Sequence, residues 1–163
     1  MKIILDNSIM LSNASKYAIR SVLFLAEKSS VNNKYGYKQI ADELEIPSSF
    51  IAKLLQKLVK AGIISSNKGP KGGFFMTAAN LKNNINSILK EIESENIFDD
   101  CFLGLPRCND ESPCPVHHIV DPFKKALLEK FTKQTIKEFS EEIKENGSLL
   151  SLKGIKFNDK DLI

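Results

Sequence analysis

The sequence predicts a mainly α protein with one small β-hairpin, closed by a long C-terminal helix. Three observations predict it. Apolar residues recur at helical spacing through most of the chain. A single hexapeptide rich in turn residues, Lys68-Gly69-Pro70-Lys71-Gly72-Gly73, separates two short runs that read as strands. A late stretch from Asp121 to about Lys144 keeps an amphipathic pattern with no glycine. The chain has 163 residues, 42% hydrophobic and 26% charged, which fits one ordinary domain or one domain with an appendage. A chain of this length buries enough surface to need no disulfide staples.

The elements follow in order. Ser12 or Asn13 caps a first helix over Ala14 to Glu27, whose Ala14, Tyr17, Ala18, Val22, Leu25 and Ala26 share a face. A polar turn (VNNKYG) leads to a short helix, Lys38 to Leu44, with Ile40, Ala41 and Leu44 on one side. Pro47 cannot continue that helix but can start the next, Ser48 to Ala61, which carries Ile51, Leu54, Leu55, Leu58 and Val59 as one stripe and ends at Gly62. A short helix, a tight turn and a longer helix make a helix-turn-helix, and the small Ala41 suits a steep helix crossing. The outer face of the second helix presents Ser48, Ser49, Ala52, Lys53, Gln56, Lys57 and Lys60, a set suited to a major groove. Ile63–Asn67 and Phe74–Thr77 read as two strands, and the hexapeptide between them forms a tip bearing Lys68 and Lys71. A hairpin placed directly after such a helix is a wing, and its basic tip reaches phosphates or the minor groove.

Beyond the wing, Asn80 or Asn83 caps a further helix with Ile85, Ile88, Leu89 and Ile92, ending near Ser94. Cys101 to His118 (CFLGLPRCNDESPCPVHH) reads as a loop too rich in Cys and Pro to be mere connection. Asp121 then caps the long helix, with Pro122 in its first turn. Its expected buried stripe is Phe123, Leu127, Phe131 and Phe139, with Leu128, Ile136 and Ile143 alongside. Lys124, Lys125, Glu129, Lys133, Lys137, Glu141 and Glu142 are expected on the wet face. So long an amphipathic helix predicts a homodimer element. The expected layout is an extension (1–9), the winged helix-turn-helix (10–80), a connecting helix (81–100), the cysteine loop (101–118), the dimerisation helix (119–145) and a tail (146–163).

Residues 1–80 carry 11 Lys+Arg against 5 Asp+Glu, and residues 81–163 carry 12 against 15. The net +3 is therefore a basic first half beside an acidic second half, which points the first half toward a polyanion. No run of about 18 apolar residues exists to cross a bilayer, and Met1–Met10 lacks both a secretory core and a cleavage site, so the expected compartment is the cytoplasm.

All 3 cysteines and both histidines fall in the one loop: Cys101-x6-Cys108-x5-Cys114-x2-His117, followed by His118. Three thiols and an imidazole suit a soft metal centre, either zinc or iron–sulfur. Structural zinc usually takes cysteine pairs two to four residues apart, so the wider gaps here favour a 2Fe–2S cluster. Zinc, a 4Fe–4S cluster, and a metal-free thiol loop that responds directly to oxidants remain the alternatives. A cysteine nucleophile with His117 as base is disfavoured, because no orienting group is evident in the sequence.

Taken together, the sequence resembles the IscR/NsrR-type family of bacterial winged-helix regulators. The resemblance is carried by Met10-Leu11-Ser12, Tyr17-Ala18-Ile19-Arg20, Gln39-Ile40-Ala41 and Ile46-Pro47-Ser48-Ser49-Phe50. It continues through Leu55-x-x-Leu58-x-x-Ala61-Gly62-Ile63-Ile64-Ser65-Ser66, Gly69-Pro70-x-Gly72-Gly73-Phe74 and the cysteine loop, from about Met10 to Lys144. It implies a homodimeric transcription factor on double-stranded, pseudo-palindromic DNA, with no enzyme activity and an iron–sulfur cluster on Cys101, Cys108 and Cys114. In the IscR-like pattern the fourth ligand maps onto His117. In some NsrR-like members with a 4Fe–4S cluster it is a carboxylate just before Tyr-Ala-Ile-Arg, where this chain has Lys16; His118, Asp110 and Glu111 are the other candidates. Ser49, Lys53 and Gln56 are then expected to read base edges, with Ser48 beside them. Lys57, Lys60, Lys68 and Lys71 are expected on phosphates, and Arg20 and Lys38 complete the DNA-facing set.

Overall fold

The computed structural model describes residues 10–93, 97–106 and 108–155. The expected extension 1–9 and residues 156–163 of the expected tail lie outside the described residues. The described chain is helical apart from a two-stranded antiparallel hairpin. α1 (Asn13–Lys28) runs through the middle and is followed by α2 (Tyr37–Leu44) and α3 (Ser48–Lys60). The hairpin β1 (Ser65–Asn67) and β2 (Gly73–Phe75) pairs Ser65 with Phe75 and Asn67 with Gly73. α4 (Ile85–Ile92), α5 (His117–Lys133) and α6 (Ile136–Asn146) complete it.

One core joins both halves. Ala18, Val22 and Leu25 of α1 meet Ile40 and Leu44 of α2, Ile51, Leu55 and Leu58 of α3, Ile85 and Ile88 of α4, and Ile136 of α6. Each of these side chains is essentially out of water, which by area accounts for roughly 1.5–3 kcal/mol per large aliphatic residue. The start of α1 is fixed twice. Ser12 accepts from the Ser15 N–H, and Glu93, just past α4, accepts from the Ser12 hydroxyl (2.6 Å) and the Ser15 hydroxyl. A carboxylate at this position also complements the positive end of the helix.

The wing is held by more than its own two strands. Tyr35 exchanges backbone hydrogen bonds with Phe74 (Phe74 N–H to Tyr35 O, 2.8 Å), adding a third strand-like segment. Gly73 sits at φ +148, and a Cβ there would lie 2.9 Å from the Tyr35 carbonyl oxygen, so the close approach requires glycine.

The C-terminal half departs from expectation. The single long helix is two helices: α5 begins at His117 and α6 ends at Asn146. Asp121 is therefore not a cap. It lies inside α5 and pairs with Lys125 at 2.7 Å, while Pro122 sits in the helix interior. α5 stops at Gln134, whose backbone is extended. Thr135 then caps α6, accepting from the Glu138 N–H while Glu138 accepts from the Thr135 N–H (2.7 Å). The break is pinned to the start of α4 by the Ile136 N–H on the Asn83 carbonyl (2.7 Å) and the Asn84 amide on the Thr132 carbonyl (2.9 Å). Asn84, not Asn80 or Asn83, caps α4, and Asn80 begins a 3₁₀ turn instead.

The faces of α5 are as expected at Leu127, Leu128, Phe131, Lys125, Glu129 and Lys133, and reversed at two neighbouring residues. Phe123, expected inside, is 56% exposed, and Lys124, expected outside, is 3% exposed. The inward side of this helix carries His117, Lys124 and the partly buried Leu128 and Phe131.

The paired bonds at Thr135 make α6 sensitive to substitution and to acid. Thr135→Ala should cost about 1 kcal/mol, read as a lower urea midpoint. The Thr135 backbone N–H, and then its hydroxyl, hold the Glu138 carboxyl below the usual glutamate range. This stabilisation is present above the unfolded-state value of about 4.3 and disappears as pH falls through the lower folded-state value. The gap in urea midpoint between wild type and Glu138→Ala should therefore narrow on acidification, and a pH-independent gap would contradict the assignment.

Candidate nucleic-acid interface and cysteine–histidine site

The buried stripe of α3 fixes its outer face. With Ile51, Leu54, Leu55 and Leu58 turned to the core, Ser48, Ser49, Lys53, Gln56, Lys57 and Lys60 are all exposed. Lys68 and Lys71 are exposed on the wing, and Lys38 is exposed on α2. Among the described residues none of these lysines is paired with a carboxylate, so their charge is offered to solvent. Small hydroxyls and an amide flanked by unpaired cations make a face suited to base edges and phosphates. Sequence reasoning left Phe50 out of this face. It is exposed, and its ring meets Tyr17 edge-on at 5.7 Å. Helical spacing puts it three residues before Lys53 and seven before Lys57, a signal the sequence did contain.

Arg20 is placed elsewhere than expected. Its Nε donates to the Leu150 carbonyl (2.6 Å) and its Nη2 to the Leu44 carbonyl. These donors are used inside the subunit, where they tie the C-terminal segment to the end of α2. Ser151 and Lys153 continue that link, with the Lys153 Nζ 2.6 Å from Asp42 and the Ser151 hydroxyl 3.1 Å from Glu45.

The cysteine loop arranges its four expected ligands as two pairs. Cys101 and Cys114 are both buried, and their side chains are neighbours. The backbone N–H of Leu105 foremost, with those of Leu103 and Gly104, also aims at Cys101, so its thiol titrates below the ordinary value despite burial. N–H groups that gather around sulfur stabilise a thiolate, the form that binds metal. In the second pair, Cys108 Sγ lies 3.4 Å from His117 Nδ1. All three cysteines are free thiols.

His117 is buried at the first turn of α5, because Cys114 O accepts from its N–H (3.0 Å) as the chain enters the helix. Its Nε2 is 2.8 Å from Asp110 Oδ1, and this bond foremost holds the Asp110 carboxyl below the usual range. An ionised carboxylate only accepts, so Nε2 carries the proton and Nδ1 is the nitrogen turned to the thiol. No three of the expected ligand set bring their donor atoms within one ion's reach among the described residues; Asp110, His117 and Asp121 do, within 4.8 Å of one another. Asp121 was expected only as a helix cap; its approach to His117 depends on α5 starting before it.

Comparison with known proteins agrees with this architecture. The chain is 28% identical over 129 residues to the HTH-type transcriptional regulator NsrR of Bacillus licheniformis, covering 78% of this chain and 90% of that protein. The fold matches CymR, the global cysteine regulator of B. subtilis, with a TM-score of 0.62, 16% identity, and 81% and 96% of the two chains covered. It also matches IscR of T. potens with a TM-score of 0.62, 17% identity, and 85% and 91% covered. Among the described residues no helix is long and apolar enough to cross a membrane. Residues 11–142 match the family model described as Rrf2, iron-dependent transcriptional regulator, and the chain belongs to that family.

Proposed function

We propose that this Rrf2-family regulator binds double-stranded DNA as a homodimer, and that an iron–sulfur cluster held by Cys101, Cys108, Cys114 and His117 sets its grip. The observation that carries the reading is the pairing inside the loop: Cys101 with Cys114 among backbone N–H donors, and Cys108 with a buried imidazole whose Nδ1 faces it. Three free thiols and one oriented imidazole fit the donor needs of such a group. A bound cluster supplies a centre that responds to oxidant, nitric oxide or iron supply. A 2Fe–2S form is favoured because the fourth donor is an imidazole and because Lys16 stands where a carboxylate would have to be.

This chain's own residues do the rest. Asp110 holds the His117 ring by its Nε2–H. The bond between Cys114 O and the His117 N–H ties the loop directly to the first turn of α5, so a change in the loop is felt by that helix. The exposed Ile119 and Phe123 lie one helical turn apart on α5 and supply an apolar seam for a second copy. In the dimer two α3 helices face adjacent grooves of a pseudo-palindrome. Ser48, Ser49, Lys53 and Gln56 meet base edges there, while Lys57, Lys60, Lys68 and Lys71 meet phosphates. A loop state alters affinity to the extent that it favours one spacing of the two α3 helices over another.

Two measurements test this. Anaerobically purified protein should contain iron and sulfide and absorb visible light. Cys108→Ala, Cys114→Ala and His117→Ala should lose or shift that spectrum, and a colourless protein containing zinc would refute the cluster. Four phosphate contacts per subunit predict that log affinity for promoter DNA falls with log salt at a slope of roughly −7. Lys57→Ala should weaken binding and flatten that slope by about 2 for the two subunits, and an unchanged slope would remove Lys57 from the interface.

A further inference from the structure

The exposed face of α3 is polar or cationic at Ser48, Ser49, Lys53, Gln56, Lys57 and Lys60, and carries one exposed apolar side chain, Phe50. Phe50 is the third residue of the helix and is 43% exposed. With 3.6 residues per turn it stands within about 20° of Lys57 around the helix axis. Its ring meets that of Tyr17 on α1 at 5.7 Å and 80°, an edge contact that steadies the side chain and still leaves close to half of the residue in water. A phenyl ring has neither the donor nor the acceptor needed to bond a phosphate or the polar edge of a base. The one apolar group that base pairs present in the major groove is the C5-methyl of thymine. Residues at the N-terminal end of a recognition helix are the ones that reach base edges. Among the described residues, Lys53 and Lys57 beside the ring have no carboxylate partner. Those unpaired charges suit a polyanion and not an apolar protein surface.

We propose that Phe50 is a specificity-determining residue that packs on the C5-methyl of one thymine in each half-site; this rests on the DNA-reading role of α3 proposed above. The ring takes the methyl out of water, and because Tyr17 already holds the ring it loses little freedom on binding. Ser49 and Gln56 read hydrogen-bonding groups, whereas Phe50 reads the methyl. Cytosine, which offers an amine donor and no methyl in the major groove, is rejected at that position.

The test uses the full chain, prepared anaerobically, and a duplex selected by the wild-type protein from a random pool. That duplex is then made with thymine or with uracil, which lacks only the methyl, at every thymine position. Wild type should bind the thymine form about fourfold more tightly per half-site, roughly 15-fold for the dimer. Uracil placed at single positions should trace the loss to one symmetry-related pair. Phe50→Ala should lose affinity for the thymine form and bring the ratio near one. Lys57→Ala should weaken binding to both forms and keep the wild-type ratio. Phe50→Gln, which keeps a longer side chain beside Tyr17, should also bring the ratio near one. A wild-type ratio near one, or a wild-type ratio retained by Phe50→Ala or Phe50→Gln, would overturn the proposal. Loss of folding in both Phe50 variants would overturn it too, since the ring would then serve the packing of α1 on α3. Failure of the wild type to select any duplex would defeat the function proposed above and this inference with it, whereas a selected duplex bound equally in both forms defeats this inference alone.

Discussion

Among the described residues, α1 is the packing partner that α2, α3, α4 and α6 share. Its buried residues Ala18, Val22 and Leu25 share one core with α2, α3, α4 and α6. The reading head and the C-terminal half are therefore not two bodies on a hinge. Both lean on the same helix, which is pinned at one end by Glu93 through Ser12 and Ser15 and held further along by Arg20. Cores pack at near-crystalline density, so such a shared helix passes a displacement on rather than absorbing it.

The cysteine loop stands outside that core. Its ordering comes from a small set of polar bonds: the backbone N–H groups around Cys101, the Cys108–His117 pair, and Asp110 on the far side of the imidazole. The loop also leaves Phe102, Leu103 and Leu105 exposed. A segment built this way has low local stability and is readily remodelled, whereas the helices around it are not. Pliancy and rigidity are thus assigned to different parts of one small chain, and they meet at His117, which belongs to both the loop and α5.

The winged helix-turn-helix was legible in the sequence because its signals are local. Ser12, Pro47, Gly62 and the Lys68–Gly73 tip each mark a boundary by their own backbone chemistry, and the stripe of α3 identified its own exposed face. The C-terminal half was less legible for two reasons. Thr135-Ile136-Lys137-Glu138 is a readable capping box, but the apolar rhythm runs straight across it and masks the break. Periodicity also cannot tell which of two apolar stripes on one helix faces inward. Phe123 and Lys124 were exchanged because one side of α5 meets the cysteine loop, which tolerates a bonded lysine. The loop's residue types announced soft-metal chemistry, but their division into two pairs depends on turns such as the one closed by Gly104 N–H on Cys101 O. Arg20 misled for a related reason: an arginine on a helix surface reads as a phosphate ligand until a distant carbonyl such as that of Leu150 claims it.

The strap of residues 149–153 has a practical side. Leu150, Ser151 and Lys153 fasten the end of the described chain to α2 and to the bend that aims α3. A purification handle placed so that it displaces residues 149–153 would undo this fastening and release the bend before α3, so the bench behaviour of such a preparation reports on the handle as well as on the regulator.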